Sequence, residues 1–208
     1  MKYSEYLSRY HFTRDELVAC AHGKLVEDPP ANGVPRLPAP PFLMFDRVTE
    51  ISREGRTGRI VAECRVRPEA WYFRCHFDGD PVQPGCLGLD AVWQLVGFFC
   101  GTQGAAGSGR ALGVESVEFL GQIRPYDQLV RYEVDIRRFR ASDKASLAVA
   151  DATVSVDGVT IYTIKGARVG VFPDIAYADF PNPRSRHARG GIVDTSRPKP
   201  AHSLEMSA

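Results

Sequence analysis

The stretch that decides the fold runs from Cys75 to Gln94 and reads C-H-F-D-G-D-P-V-Q-P-G-C-L-G-L-D-A-V-W-Q. Pro81 and Pro84 forbid regular helix before Gly85, because proline lacks the backbone N–H and its ring fixes φ. From Leu87 to Cys100 the chain is apolar nearly all round, so a helix is expected to begin near Gly85 or Cys86. A helix apolar on every side has to be buried, and the rest of the chain has to cover it. Its clear polar exceptions are Asp90 and Gln94, four residues apart and therefore on one face. A carboxylate in that setting is costly unless something uses it.

His76 lies just upstream of the turn and is the only histidine between His22 and His187. A chain that folds back there brings imidazole and carboxylate to one pocket, which suggests an acid and a base. The helix start adds unpaired backbone N–H groups and the positive end of a dipole, suited to polarising a carbonyl. Gln94 has two readings at this stage: a hydrogen-bond partner behind the site, or a polar residue at a subunit boundary.

Outward from this stretch the pattern is mostly strand. Phe42 to Ile51 and Thr57 to Val66 flank a turn at Arg53-Glu54-Gly55-Arg56, and Trp71-Tyr72-Phe73 is β-prone. After a small, glycine-rich linker, Gly101 to Gly109, four further strands are expected: Ala111 to Phe119, Leu129 to Arg140, Ser146 to Val156 and Val159 to Val171. Asp157-Gly158 between the last two is a tight-hairpin signal, since both residues tolerate positive φ. Thr13-Arg14-Asp15-Glu16 carries a capping box ahead of a short helix ending near Gly23. One long apolar helix among antiparallel strands is an α+β arrangement, the sheet curved around the helix.

Six prolines between Asp28 and Pro41 make that segment a connector, and a change to proline and small polar residues after Phe172 marks a flexible tail. The expected organisation is therefore one domain over 1–172, including the connector at 28–41, and a tail over 173–208. Twenty-six basic against twenty-five acidic side chains give a net charge of +1, which offers no electrostatic case for nucleic acid. Five cysteines, an odd number in a chain of this size, fit a reducing compartment. The N-terminus has no continuous apolar run, and the central helix falls short of a bilayer core, so a soluble, cytoplasmic protein without membrane insertion is expected. Cys75, His76 and Cys86 lack metal-ligand spacing, so no metal is expected. For Cys86 the expectation from composition is small buried packing rather than a reactive thiol.

The run from Cys75 to Phe98 resembles the bacterial β-hydroxydecanoyl-acyl-carrier-protein dehydratase/isomerase family of type II fatty-acid synthesis. So do L-P-A-P-P-F-L-M-F-D-R-V from Leu37, G-R-A-L-G-V-E-S-V-E-F-L-G-Q from Gly109 and V-D-G-V-T-I-Y-T from Val156. The resemblance implies a hot-dog fold and a homodimer whose active sites are shared between subunits, each taking His76 from one chain and Asp90 from the other. It implies that His76 and Asp90 are catalytic, that the Gly85 amide polarises the thioester carbonyl, and that the Val82 carbonyl orients the imidazole. Cys86 and Gln94 would join Val82 and Gly85 in binding substrate. The implied partner is an acyl carrier protein bearing a 3-hydroxyacyl-phosphopantetheine, with no cofactor. The implied reaction is dehydration to the trans-2-enoyl thioester, followed by isomerisation to cis-3. Aspartate at position 90, where dehydratases without isomerase activity carry glutamate, favours the bifunctional type; Gln83 stands where the family commonly has methionine. Two alternatives on the same fold are a non-catalytic acyl-thioester binding module and an acyl thioesterase.

Overall fold

The computed structural model describes residues 1–173. Its centre is helix α3, Gly85–Thr102, which follows Pro84 as expected. Most of its residues are buried, including Leu87, Ala91, Val92, Leu95, Val96, Phe98 and Phe99. It ends where Gly104 turns to φ +88° and the N–H groups of Gly104 and Ala105 bond back to the Gly101 and Cys100 carbonyls, each at 3.0 Å. A glycine in the left-handed region with this pair of bonds satisfies carbonyls that the helix leaves open. Among the described residues α3 is the one helix long and apolar enough to cross a bilayer, and 67% of it is buried inside the fold.

Seven antiparallel strands wrap α3: β1 (Arg47–Glu54), β2 (Thr57–Arg65), β3 (Ser108–Gly113), β4 (Ser116–Phe119), β5 (Leu129–Arg140), β6 (Ser146–Val156) and β7 (Val159–Phe172). Their order is β1-β2-β5-β6-β7-β3, with β4 also on β7. Alternation does the sorting: every second residue of β6 from Ser146 to Val156 is buried, as a two-residue side-chain period requires when one face meets a helix. The result is the α+β hot-dog arrangement, a long helix rolled in an antiparallel sheet. Asp157 and Gly158 take φ +49° and +83°, the turn expected between β6 and β7. The Asp157 carboxylate then accepts the Leu129 N–H at 2.8 Å and pins the start of β5.

Four expectations need correction. The first strand begins at Arg47 rather than Phe42: Leu43, Met44 and Phe45 are buried, and the Met44 N–H and Phe42 carbonyl bond to Gln94 of α3 instead of a ladder. Trp71–Arg74 is a turn of 3-10 helix, not strand, because Tyr72 and Phe73 both turn inward, which an alternating strand cannot do. Ala111 to Phe119 is two strands, broken at Gly113, whose φ of +144° shifts the register on β7. A first helix, α1 (Tyr3–Ser8), lies ahead of the expected one, α2 (Arg14–Ala21). The Thr13–Glu16 capping box on α2 is present in full. Tyr6 and Phe12 meet Phe98 of α3 edge-on, with ring centroids 6.1 and 4.9 Å away, so the N-terminal segment covers the far half of the helix. The connector at 28–41 has no regular structure, although Val34 and Leu37 are buried. Of the expected tail, 173–208, the residues from 174 on lie outside the described residues.

Candidate active site

Backbone bonds hold His76 in place. Its N–H donates to the Tyr72 carbonyl at 2.9 Å, closing the 3-10 turn, and its carbonyl accepts the Val82 N–H at 2.7 Å. Within that loop Phe77 and Asp80 exchange backbone bonds of 2.9 and 3.1 Å. The imidazole Nδ1 lies 3.1 Å from the Val82 carbonyl oxygen. A carbonyl can only accept, so Nδ1 carries the hydrogen of this contact, and in the neutral imidazole Nε2 then holds the lone pair. The Phe77 ring, itself 55% exposed, lies against the imidazole at a centroid distance of 3.9 Å.

Asp90 sits on the second turn of α3, half-buried. Burial pushes its carboxyl above the ordinary range, and the hydrogen bond from Gln94 partly offsets that. Gln94 Nε2 donates to Asp90 Oδ2 at 2.6 Å and to the Phe42 carbonyl at 2.9 Å, while its Oε1 accepts the Met44 N–H at 3.2 Å. Of the two readings left open for Gln94, the hydrogen-bond partner behind Asp90 matches this geometry. Asp90 lines a cleft of about 200 Å³ with Leu37, Phe42, Trp93, Gly97 and Val169. His76 is not among the residues lining that cleft.

Gly85 and Cys86 open α3 with no side-chain cap from Pro84, and the Leu87 N–H is already bonded to the Pro84 carbonyl at 3.0 Å. The first two amides therefore remain for an anion or a polarised carbonyl. Cys86 is exposed, which corrects the expectation of buried packing: the helix turns its second residue away from the core. Burial pushes the Cys64 and Cys100 thiols up to about 12 and Cys20 up to about 11, the opposite of what a thiolate nucleophile needs. Among the described residues no group of His, Cys, Asp and Glu side chains is placed to hold a metal ion. Gln83 is buried, its backbone N–H on the Ile123 carbonyl at 2.9 Å and its side chain beside the Tyr132 hydroxyl.

Two residues at the site escaped sequence reading. Phe119 and Tyr162, direct partners across β4 and β7, lay their rings on the first turn of α3 at Gly85 and Gly88. The available signal was the pair of glycines three apart on one helical face, which marks a close approach.

The family model described as FabA-like domain matches residues 37–165, more than half of the 208. Among solved structures, the dehydratase heterocomplex ApeI:P from Xenorhabdus doucetiae is 12% identical, with a TM-score of 0.45 over 64% of this chain and 84% of that one. A hypothetical thioesterase with coenzyme A from Streptococcus pneumoniae is 14% identical, with a TM-score of 0.42 over 59% and 85%. The PaaI protein of the E. coli phenylacetic acid degradation operon is 15% identical, with a TM-score of 0.40 over 58% and 80%. The family match takes in the strands from β1 into β7 and the whole of Cys75 to Gln94, and the chain belongs to the FabA-like domain family.

Proposed function

We propose that the protein dehydrates 3-hydroxyacyl thioesters, presented on the phosphopantetheine arm of an acyl carrier protein, to trans-2-enoyl thioesters and isomerises these to cis-3. The observation that carries this reading is an imidazole whose Nδ1 is held on a backbone carbonyl and a half-buried carboxyl, raised by that burial, within one family-matched stretch. His76 Nε2 takes the C2 proton, and charge developing on the thioester oxygen is met by the open amides at Gly85 and Cys86. Protonated Asp90 delivers its proton to the C3 hydroxyl, which leaves as water, and the proton on His76 then resets the pair. Isomerisation uses the same groups, one removing a proton at C4 while the other returns one at C2.

The cleft beside Asp90 and the loop of His76 are brought together when two copies associate about a two-fold axis, each supplying one catalytic group to each site. Exposed apolar side chains at Phe77, Leu112 and Leu120 support such a contact.

The test is product analysis with a 3-hydroxydecanoyl thioester. Wild-type protein is expected to yield trans-2 and cis-3 enoyl thioesters, separable by chromatography and mass. His76→Ala and Asp90→Asn are expected to yield neither, with a loss of about 10² or more for removal of an acid or base. Free thiol in place of enoyl product would make the protein a thioesterase, and tight binding without turnover would make it an acyl-binding module.

A further inference from the structure

The first turn of α3 is covered by a ring that core packing does not explain. Phe119 closes β4, a four-residue strand lying off the main path of the sheet and paired only with β7. Its Cε1 and Cζ lie 2.7 and 3.0 Å from where a Cβ on Gly85 would stand, so the ring fills the space a side chain there would take. Its ladder partner Tyr162 meets it edge-on, with centroids 4.8 Å apart and planes at 89°. Tyr162 in turn occupies the Cβ space of Gly88. Tyr162 is 1% exposed and belongs to the core, whereas Phe119 is 54% exposed. A large apolar ring with half its surface open lies directly on the turn that carries the open Gly85 and Cys86 amides.

We infer that Phe119 is a positioning residue that keeps water from the thioester carbonyl polarised at this turn, and so sets the partition between dehydration and hydrolysis. The inference rests on the dehydratase reading above. Both reactions begin from the same polarised carbonyl. In dehydration the C2 proton and the C3 hydroxyl depart together as water, and the thioester survives. In hydrolysis a water oxygen bonds to the carbonyl carbon, the C–S bond breaks, and a proton from that water ends on the departing sulfur, giving a 3-hydroxy acid and a free thiol. No co-reactant other than water separates the two outcomes, so access of water to one face of the carbonyl is decisive. An apolar ring packed over the Cβ side of Gly85 would shield a carbonyl held at the adjacent amides from that approach.

The experiment follows enoyl thioester by chromatography with mass detection, and free thiol by a chromogenic disulfide, from 3-hydroxydecanoyl-pantetheine. Wild-type protein, Phe119→Ala, Phe119→Leu and Gly85→Ala are compared. Wild type is expected to form enoyl product with little thiol. Phe119→Ala should raise the thiol-to-enoyl ratio by about tenfold or more, equivalent to about 1.4 kcal/mol in relative barriers, with Phe119→Leu between the two. The methyl of Gly85→Ala pushes the same ring outward, so that variant should shift the ratio in the same direction, and the double substitution should add nothing beyond Phe119→Ala. A folded Phe119→Ala that keeps the wild-type ratio, or that loses dehydration without releasing thiol, overturns the inference; if that variant does not fold, Phe119→Leu and Gly85→Ala decide by the same ratio. Absence of enoyl product from wild type overturns the dehydratase reading and this inference with it, whereas normal enoyl formation with an unchanged ratio in the variants overturns this inference alone.

Discussion

Replacing Gln94 by leucine removes three hydrogen bonds at nearly constant volume, and the structure separates their consequences. Met44 is 6% exposed, and its N–H has Gln94 Oε1 as acceptor, so the substitution leaves a buried donor unpaired at about 1–3 kcal/mol. Phe42 is 43% exposed, so water can replace the lost donor at its carbonyl. The bond to Asp90 adds about 1 kcal/mol, the usual net value. The sum, about 2–4 kcal/mol, corresponds to a fall of about 4–16 °C in melting temperature for a chain of this size. Calorimetry at fixed protein concentration reads it, since association shifts apparent stability. The same change removes the interaction that offsets burial at Asp90, so its carboxyl rises further and the basic limb of the dehydration pH profile moves to higher pH. An unchanged melting temperature together with an unshifted pH profile would refute the reasoning.

Two further outcomes are expected. In Asp90→Asn the stability difference from wild type should depend on pH with a definite sign. Below the unfolded carboxylate value of about 3.9 both states of wild type are protonated and burial carries no charge penalty. As pH rises through the elevated folded value, the half-buried carboxylate ionises and that stability is lost. Melting scans should therefore show the variant gaining on wild type with rising pH; a constant difference would remove the burial argument. Mixed dimers of His76→Ala and Asp90→Asn chains should recover about half the wild-type activity, because one site then carries both changes and the other neither. A mixed dimer that stays inactive would place both groups in one chain.

Legibility followed the physics of each element. The start of α3 was visible because two prolines and an unbroken apolar run leave one solution. The β6–β7 hairpin was visible because Asp157-Gly158 matches a specific turn. The 3-10 turn at Trp71–Arg74 was not: aromatic residues favour strand on average, and only the inward packing of both Tyr72 and Phe73 overrides that. The break at Gly113 and the inward path of Leu43 to Phe45 depend on which partner claims the backbone groups, and those partners are distant in sequence. At the site, His76 and Asp90 could be singled out by type and spacing. Phe119 and Tyr162 could not, because nothing local links residue 85 to residue 119.

The two halves of the proposed site are held by different means, and this accounts for where substitutions should be tolerated. The hydrogen bonds that orient His76 all come from main-chain groups, the Tyr72 carbonyl, the Val82 N–H and the Val82 carbonyl, with the Phe77 ring packed on the imidazole. Side chains along that loop can change without altering the tautomer, and glutamine at position 83 leaves the loop's backbone bonds in place. Asp90 is oriented by a single side chain, Gln94, which also ties Phe42 and Met44 to α3. The imidazole half is therefore robust to its neighbours, whereas the carboxyl half couples acidity, orientation and local stability through one amide. A substitution at position 94 should move all three together, which no side-chain change between Asp78 and Pro81 is expected to do.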